Sequence, residues 1–264
     1  MRDAAARPFG GLRPVVWLGR SAATLALVLV LTGQSGRRFG GDYAPNIGYT
    51  GQFTYARIRY TPAEGAHGRR ERDVKWDHDY PASDRHFPLI LRDVTSIFAN
   101  TLGSNIYTLN DPDLFKHPWV YLCEAGFLTL TDSEARNMRE YLLKGGFIIF
   151  DDFVNEAWDN FEGEMKRVLP EYRPIRLDQS HPIFHTFFEM KRIDFPHPYY
   201  RDVQPVYYGF FEGNDPTKRM LAIINYNNDV SEYWEWSDTD QLPVDITNEA
   251  YKLGVNYAVY AMTH

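Results

Sequence analysis

Two adjacent aspartates follow the most apolar strand that the sequence predicts. In "LKGGFIIFDDF" (143–153), four apolar residues lead directly into Asp151 and Asp152. Close carboxylates repel each other, so either the pKa of one of them rises or a cation joins them. Asp151 and Asp152 are therefore candidate catalytic groups and candidate ligands of a divalent cation. The alternative is structural, with one or both capping the next helix or closing an Asx turn.

Other acidic side chains follow neighbouring predicted strands. Glu124 comes directly after "WVYLC" (119–123), and the long loop 61–85 carries Asp84 together with "WDHD", residues 76–79. Ligands of open α/β sheets bind beyond the carboxyl ends of the strands. We therefore expect Asp84, Glu124, Asp151 and Asp152 to meet at one rim of the sheet. The candidate ligand-binding residues are Trp76, Asp84, Glu124, Asp151, Asp152 and His181.

The histidine pair in "HPIFH" has a spacing that can bind a metal. His181 and His185 stand four residues apart, which places two ligands on one helix face. Pro182 lies between them and no third ligand is evident, so a turn into a short helix is favoured, with His181 as a hydrogen-bonding anchor. In a hydrolase, His181 and Asp84 would assist Asp151 or Asp152.

Cys123 is the only cysteine, so no intramolecular disulfide forms. A nucleophile elbow requires a glycine two residues earlier, where Tyr121 stands, and a buried thiol is favoured. The chain has no G-x-S-x-G, P-loop or G-x-G-x-x-G motif. These absences argue against serine hydrolases, P-loop NTPases and dinucleotide-binding enzymes.

An aromatic stretch near the C-terminus offers another kind of site. "SEYWEW" places Trp234 and Trp236 among acids, which suggests a partly exposed ledge for sugar rings. The alternative is core and edge packing.

Alternating patterns predict an α/β fold with a mostly parallel sheet and helices on both faces. A T-x-x-E capping box at Thr131 begins the clearest helix, and Gly145 ends it. The remaining predictions are strands at 53–60, 105–109, 119–123, 147–150 and 172–177, helices at 86–102, 156–168 and about 247–262, the last capped by Asp245 or Thr247, and a hairpin or sheet edge after 205.

The N-terminus has the pattern of an export signal. Basic residues precede the apolar "SAATLALVLVLTG", so residues 1–35 are predicted to be a signal peptide or, alternatively, an uncleaved membrane anchor. Residues 36–52 are Gly-rich and predict a linker, and residues 53–264 predict a single domain. The formal net charge of −7, without a basic block, argues against nucleic acid as a partner.

Six motifs in one order resemble a bacterial family of unknown function, numbered four-one-five-nine. They are "YARIRY", "WDHDYPASDRHF", "LNDPDLFKHPWVYL", "LTDSEARNMREYLLKGGFIIFDDF", "VLPEYRP" and "HPIFH", and they cover about residues 50–262. The matching positions are Asp84, Glu134, Gly145, Gly146, Asp151, Asp152, His181 and Pro182.

The resemblance implies a three-layer, flavodoxin-like fold of the class I glutamine amidotransferase-like type. It also implies export or membrane attachment, with cell-envelope or membrane proteins as candidate partners. Working amidotransferases deliver a nucleophilic cysteine at this rim on a sharp elbow, which this sequence lacks.

These features favour an exported envelope protein that binds a polar ligand or partner without catalysis. The alternatives are a carboxylate- or metal-dependent hydrolase acting on glycans or amides, and a carbohydrate-binding protein.

Overall fold

The computed structural model describes residues 43–66 and 73–264. The predicted signal segment and the first part of the predicted linker lie outside these residues. No helix within the described ranges has the length and apolar character needed to cross a membrane.

Nine strands form two sheets in the described part of the chain. They are β1 (Ala56–Ile58), β2 (Thr61–Pro62), β3 (Asn105–Tyr107), β4 (Trp119–Leu122), β5 (Leu128–Thr129), β6 (Phe147–Phe153), β7 (Ile175–Arg176), β8 (Val206–Phe211) and β9 (Met220–Tyr226). The central sheet has the order β3-β1-β4-β6-β9-β8-β7, and β2 pairs with β5 separately. The first five strands of this order are parallel, whereas β8 runs antiparallel to both β9 and β7.

Helices cover both faces of the central sheet, which confirms the predicted α/β layering. The α-helices are α1 (Ala82–Val94), α2 (Asp132–Leu143), α3 (Ala157–Val168), α4 (Val230–Glu235) and α5 (Val244–Thr263). One buried core lies between the sheet and α1, α4 and α5, and it includes Phe87, Trp234 and Tyr257. The other lies between the sheet and α2 and α3, and it includes Met138 and Phe161.

The segment from α2 to β6 forms as its sequence predicts. The Thr131 side chain accepts from the backbone N–H of Glu134, and the Glu134 side chain accepts from the backbone N–H of Thr131. Gly145 adopts a φ of +112°, a conformation that favours glycine and ends the helix. The apolar strand β6 then enters the middle of the sheet, between β4 and β9.

The prediction for α1 was wrong at both ends. The helix begins at Ala82, so the preceding loop is shorter than predicted, and it stops at Val94 because Thr95 turns to an extended conformation. Residues 95–102 are therefore not helical, and Phe98 is exposed rather than on a buried helix face. A backbone bridge between Phe53 and Ala99 holds this segment against the sheet edge.

The C-terminal third also differs from the prediction in its helices. The last helix begins at Val244 after Pro243 and has no side-chain cap, so neither Asp245 nor Thr247 caps it. The short helix α4 was not predicted, and it replaces the expected exposed ledge. The predicted hairpin is confirmed as β8 and β9.

Candidate functional site

The candidate site lies at the carboxyl ends of β1, β4, β6 and β9. The chain passes from β1 to β3 on one side and returns to β4 on the other, so the connections diverge between β1 and β4. Such a switch point leaves a crevice at the carboxyl ends of the strands, where open α/β sheets bind ligands. The loop 73–81 and the turn after β4 meet there, since Lys75 and His78 contact Glu124.

Backbone strain is concentrated at this edge. Seven non-glycine residues among those described have positive φ, and six of them lie here: Lys75, Asp79, Glu124, Asp152, Asn155 and Asn227. Left-handed backbone costs about 1–2 kcal/mol at most non-glycine residues and less at Asn and Asp, so the cost is largest at Lys75 and Glu124. Clusters of such residues are typical of functional sites.

The two aspartates of the opening motif lie inside β6, not beyond it. β6 continues to Phe153 through a register shift after Phe150, which corrects the predicted strand end. Asp151 is fully buried, and its Oδ2 accepts from Tyr121 Oη at 2.7 Å and from the backbone N–H groups of Val230 and Ser231. Asp151 thus caps α4. The sequence had suggested, as the structural alternative, that it caps the helix that follows the strand, which is α3. Burial raises the pKa of Asp151 to about 7, although its hydrogen bond from Tyr121 opposes the shift.

Asp152 points to different partners. Its backbone has a φ of +57°, and its Oδ2 lies 3.5 Å from His78 Nδ1 and 3.5 Å from Cys123 Sγ. Burial alone would raise the pKa of Asp152, but the hydrogen bond and the charge of His78 outweigh that effect and lower it. Asp152 is therefore an anion held against a cationic histidine.

His78 is the cation of a compact ion-pair network. Its Nε2 lies 2.7 Å from Asp73 Oδ1 and its Nδ1 lies 3.1 Å from Glu124 Oε1. Because both ring nitrogens face carboxylates, both carry protons. Burial would lower the pKa of His78, yet the hydrogen bonds to Asp152, Asp73 and Glu124 raise it to about 12. Lys75 Nζ completes the network at 3.0 Å from Asp73 and 3.2 Å from Glu124.

Beyond this network lies the acidic centre, by which we mean Asp79, Asp152, Asp229 and Glu232. Oxygens of Asp79, Asp229 and Glu232 lie within 4.8 Å of one another, and Asp152 lies within the same distance of Asp79 and of Asp229. Asp79, Asp229 and Glu232 are buried.

The charge states of the acidic centre follow from its burial. Burial, followed by the charge of Asp152, raises the pKa of Asp79 to about 7 and raises that of Asp229 well above its usual range. Burial and the charge of Asp79 raise the pKa of Glu232 to about 8. Without a cation, burial therefore favours the protonated forms of these three groups, whereas His78 favours the ionised form of Asp152.

Four groups of residues have the geometry to hold a metal ion. Asp152 belongs to three of them, with His78 and Glu124, with Asp79 and Cys123, and with His197 and Asp229; the fourth contains Asp79, Asp229 and Glu232. Asp151 belongs to none of these described groups. Of the two predicted metal ligands, only Asp152 therefore has the geometry of a ligand.

Cys123 is buried between acids, which agrees with the favoured buried-thiol interpretation. Its Sγ lies 3.5 Å from an Asp152 oxygen and 3.8 Å from an Asp79 oxygen. Burial and these two negative charges raise the pKa of the thiol well above its usual value. The thiolate, which is the nucleophilic form, is strongly disfavoured here.

Asp84 and Trp76 lie beside the site and hold its loop in place. Asp84 forms a fully buried ion pair with Arg57 of β1, with Arg57 Nη2 2.5 Å from Asp84 Oδ1. Arg57 also donates to the backbone carbonyls of Trp76 and His78 at 3.0 Å each. The Trp76 indole is buried and packs against Tyr43. The geometry gives both residues a positioning role for loop 73–81.

His181 lies at the opposite end of the strands, near the amino end of β9. Its ring packs 5.4 Å from the ring of Phe211 and faces Pro216, in the turn that precedes the amino end of β9. Its Nδ1 accepts from the backbone N–H of Ile183 and begins a short 3₁₀ helix, as the favoured interpretation predicted. The structure therefore does not bring His181 together with Glu124 and Asp152.

Two parts of the site, the start of α4 and the irregular segment 185–205, have sequence patterns too weak to predict their place in it. Asp229 and Glu232 flank the start of α4, and the Asp229 side chain caps that helix by accepting from the backbone N–H of Glu232 at 3.0 Å. His197 arrives from the irregular segment 185–205, as does Tyr199, whose hydroxyl donates to Glu232. A D-x-x-E capping pattern at 229–232 was the only available signal.

The proposed tryptophan ledge does not exist as predicted. Trp234 is fully buried and stacks on Phe87 at 4.5 Å. Trp236 is half-buried, and its indole N–H donates to Glu232.

Comparisons with known proteins give a family but no activity. No curated protein matches the chain. The sequence model of one family matches residues 54–262, which is most of the chain. The chain therefore belongs to the family described as domain of unknown function DUF4159.

Proposed function

We propose that this chain is an exported cell-envelope module that binds a polar ligand at the acidic edge of its sheet, without thiol catalysis. The observation that carries the proposal is the delivery of Asp152, on strained backbone, into contact with His78 and Cys123. Asp152, rather than the buried thiol, is the ionised group at the position where ligands of such sheets bind.

The fold supports a flavodoxin-type origin. Numbered along the chain, the five parallel strands follow the order 2-1-3-4-5, which is the order of flavodoxin-like sheets. On an amidotransferase-like sheet the turn after β4 would carry the chemistry, and here that turn carries Glu124 at a φ of +49°. Glu124 therefore occupies the residue of this turn that has a positive φ, and Cys123, the residue before it, is buried.

The chemistry of the accessible groups defines the class of ligand. Side chains of Asp152, His78 and Glu124 remain 12–15% exposed, whereas the acidic residues behind them are buried. A ligand that reaches this edge meets a carboxylate next to an imidazolium. Hydroxyl-rich or zwitterionic small molecules, such as sugars and amino acids, suit this pairing of charges.

The experiment is a thermal-shift comparison with a panel of monosaccharides, disaccharides and amino acids that includes L-glutamine. We expect at least one panel member to raise the melting temperature of the full chain and of Asp93→Asn, an exposed control on α1, but not of Asp152→Asn. Release of ammonia from L-glutamine that is lost in Cys123→Ser would contradict the proposal. Export is tested separately with a C-terminal alkaline phosphatase fusion, which is active only outside the cytoplasm.

A carboxylate-dependent hydrolase is the second candidate. Its support is the separation of pKa values between Asp152, which is lowered, and Glu232, which is raised to about 8. One ionised and one protonated carboxyl group are the requirement for acid–base catalysis. The version based on Asp84 and His181 has no geometric support, because Asp84 pairs with Arg57 and His181 lies at the opposite end of the strands. Hydrolysis of a chromogenic glycoside or amide that is lost in Asp152→Asn, but kept in Cys123→Ser, would favour this candidate.

A further inference from the structure

The acidic centre has the dimensions of a cation site. One oxygen each of Asp79, Asp229 and Glu232 lies within 4.8 Å of the other two, and Asp152 lies within the same distance of Asp79 in one further group and of Asp229 in another. Ca²⁺ binds oxygens at about 2.3–2.6 Å, so two oxygens on one ion are separated by at most about 4.6–5.2 Å. The carboxylates of Asp79, Asp229 and Glu232 can therefore reach a single ion, and Asp152 can supply a fourth oxygen through its proximity to Asp79 and to Asp229.

The nearby cations are paired, and His78 alone among them reaches the acidic centre, at Asp152. Lys75 pairs with Asp73 and Glu124, and the ring nitrogens of His78 face Asp73, Glu124 and Asp152. Arg57 is paired with Asp84. Asp79 and Asp229 form no ion pair with an arginine, lysine or histidine among the described residues. Buried carboxylates at such distances require a positive charge or shared protons.

A buried histidine gives an independent indication of a ligand. His197 is only 3% exposed, and one of its ring nitrogens lies within 4.8 Å of oxygens of both Asp152 and Asp229. Its Nδ1 accepts from the backbone N–H groups of Tyr199 and Tyr200, so the neutral ring carries its proton on Nε2. That buried Nε2–H has no hydrogen-bond acceptor among the described residues. A donor in this position suits a water molecule bound to a cation, and it does not suit direct coordination of the metal.

We propose that the acidic centre binds one hard divalent cation of the Ca²⁺, Mg²⁺ or Mn²⁺ class, with Asp79, Asp152, Asp229 and Glu232 as the ligands. Oxygen-only ligand sets select these ions over softer metals. His197 donates to a water molecule on the ion, and the capping bond from Asp229 to α4 fixes the helix that carries Glu232. This inference goes beyond polar-ligand binding, because it stands whether or not a sugar or an amino acid binds at Asp152.

The experiment uses the full chain, stripped with EDTA and returned to chelator-free buffer. Isothermal titration with Ca²⁺, Mg²⁺ and Mn²⁺, each alone, should give one saturable site and a matching rise in melting temperature. Asp229→Asn should weaken this binding by at least about 10-fold. Asparagine is also a good N-cap, so the substitution keeps the start of α4. Asp93→Asn, at an exposed carboxylate on α1, should bind as the unaltered chain does.

The stability of the stripped protein provides a second readout that does not depend on binding. Asp229→Asn removes one of several buried acids, so it should raise the melting temperature in EDTA while it abolishes the rise caused by the cation. Absence of saturable binding by all three ions would overturn the proposal, as would equal affinity in Asp229→Asn. Binding of Zn²⁺ alone, lost in Cys123→Ser, would overturn the assignment of a hard cation. Loss of cation binding together with retained sugar or amino-acid binding would refute this inference and leave the proposed function standing.

Discussion

Asp151 and Asp152 are adjacent in the sequence, yet they bond to different parts of the protein. Asp151 Oδ2 accepts from the backbone N–H of Val230 at 2.9 Å, whereas Asp152 Oδ2 lies 3.5 Å from His78 Nδ1. Asp152 lies in the register shift after Phe150 and has a φ of +57°, so its backbone is not that of a regular strand and its side chain meets partners different from those of Asp151. One aspartate therefore builds the scaffold, and the other is the candidate functional group.

Removal of the Asp151 carboxylate should destabilise the fold through α4. Asp151→Ala leaves two buried backbone N–H groups without their acceptor and removes one of the two hydrogen bonds of the Tyr121 hydroxyl, and we expect a loss of about 3 kcal/mol in the free energy of unfolding. Asp151→Asn retains an acceptor oxygen and should lose less. Urea denaturation measures both, with exposed Asp93→Ala expected within about 0.5 kcal/mol of the unaltered chain. Equal losses for the alanine and asparagine variants would contradict the capping role.

The buried Arg57–Asp84 pair should show strong coupling. Asp84→Ala leaves a fully buried guanidinium without its counter-ion, and we expect a cost of about 3–5 kcal/mol. The double variant Arg57→Met with Asp84→Leu replaces both charges by apolar groups and should be more stable than Asp84→Ala alone. A double-mutant cycle in urea measures the coupling. Simple additivity of the two single changes would contradict the predicted coupling.

Two glycines make a matched test of the turn that carries Glu124. A Cβ at Gly126 would lie 2.4 Å from the Cβ of Ala157 at the start of α3, so Gly126→Ala should cost about 1–3 kcal/mol. Gly163 lies on the exposed side of α3, where an added methyl group would meet open space, and Gly163→Ala should instead stabilise by about 0.5–1 kcal/mol. Thermal unfolding of both variants is the measurement. Stabilisation by Gly126→Ala would mean that the turn is not packed against α3.

His117 should make stability fall in mild acid. Burial lowers its pKa to about 4 in the folded protein, from an unfolded value of 6.5. Between these values the unfolded chain binds more protons, so the stability that is present above pH 6.5 is lost as the pH falls toward 4. The loss attributable to His117 is at most about 3 kcal/mol. Urea midpoints at pH 7 and pH 5 should differ less in His117→Phe than in the unaltered chain, and an equal difference would contradict the prediction.

Local signals in the sequence predicted the framework of the fold. The capping box at Thr131, the glycine at 145 and the apolar run 147–150 each act over a few residues. The first two appear in the structure as predicted, and the third begins β6, which continues to Phe153. Helix α4 escaped prediction because its six residues are too few to show a helical period, and all six are buried by tertiary contacts.

The site was predicted only in part, because its contacts are distant in sequence. The strand-end rule brought Glu124 and Asp152 to one edge, where they share His78. It could not show that Asp84 is neutralised by Arg57, since that pairing depends on which face of β1 the arginine occupies. It also could not place Asp229, which lies 77 residues beyond Asp152 in the sequence.

The most direct test of the central claim, that Asp152 and its acidic neighbours form the functional centre, is anomalous diffraction from crystals soaked in Mn²⁺. We expect one anomalous peak at about 2.0–2.6 Å from carboxylate oxygens of Asp152 and Asp229. A peak confined to exposed carboxylates elsewhere, or no peak at all, would contradict it.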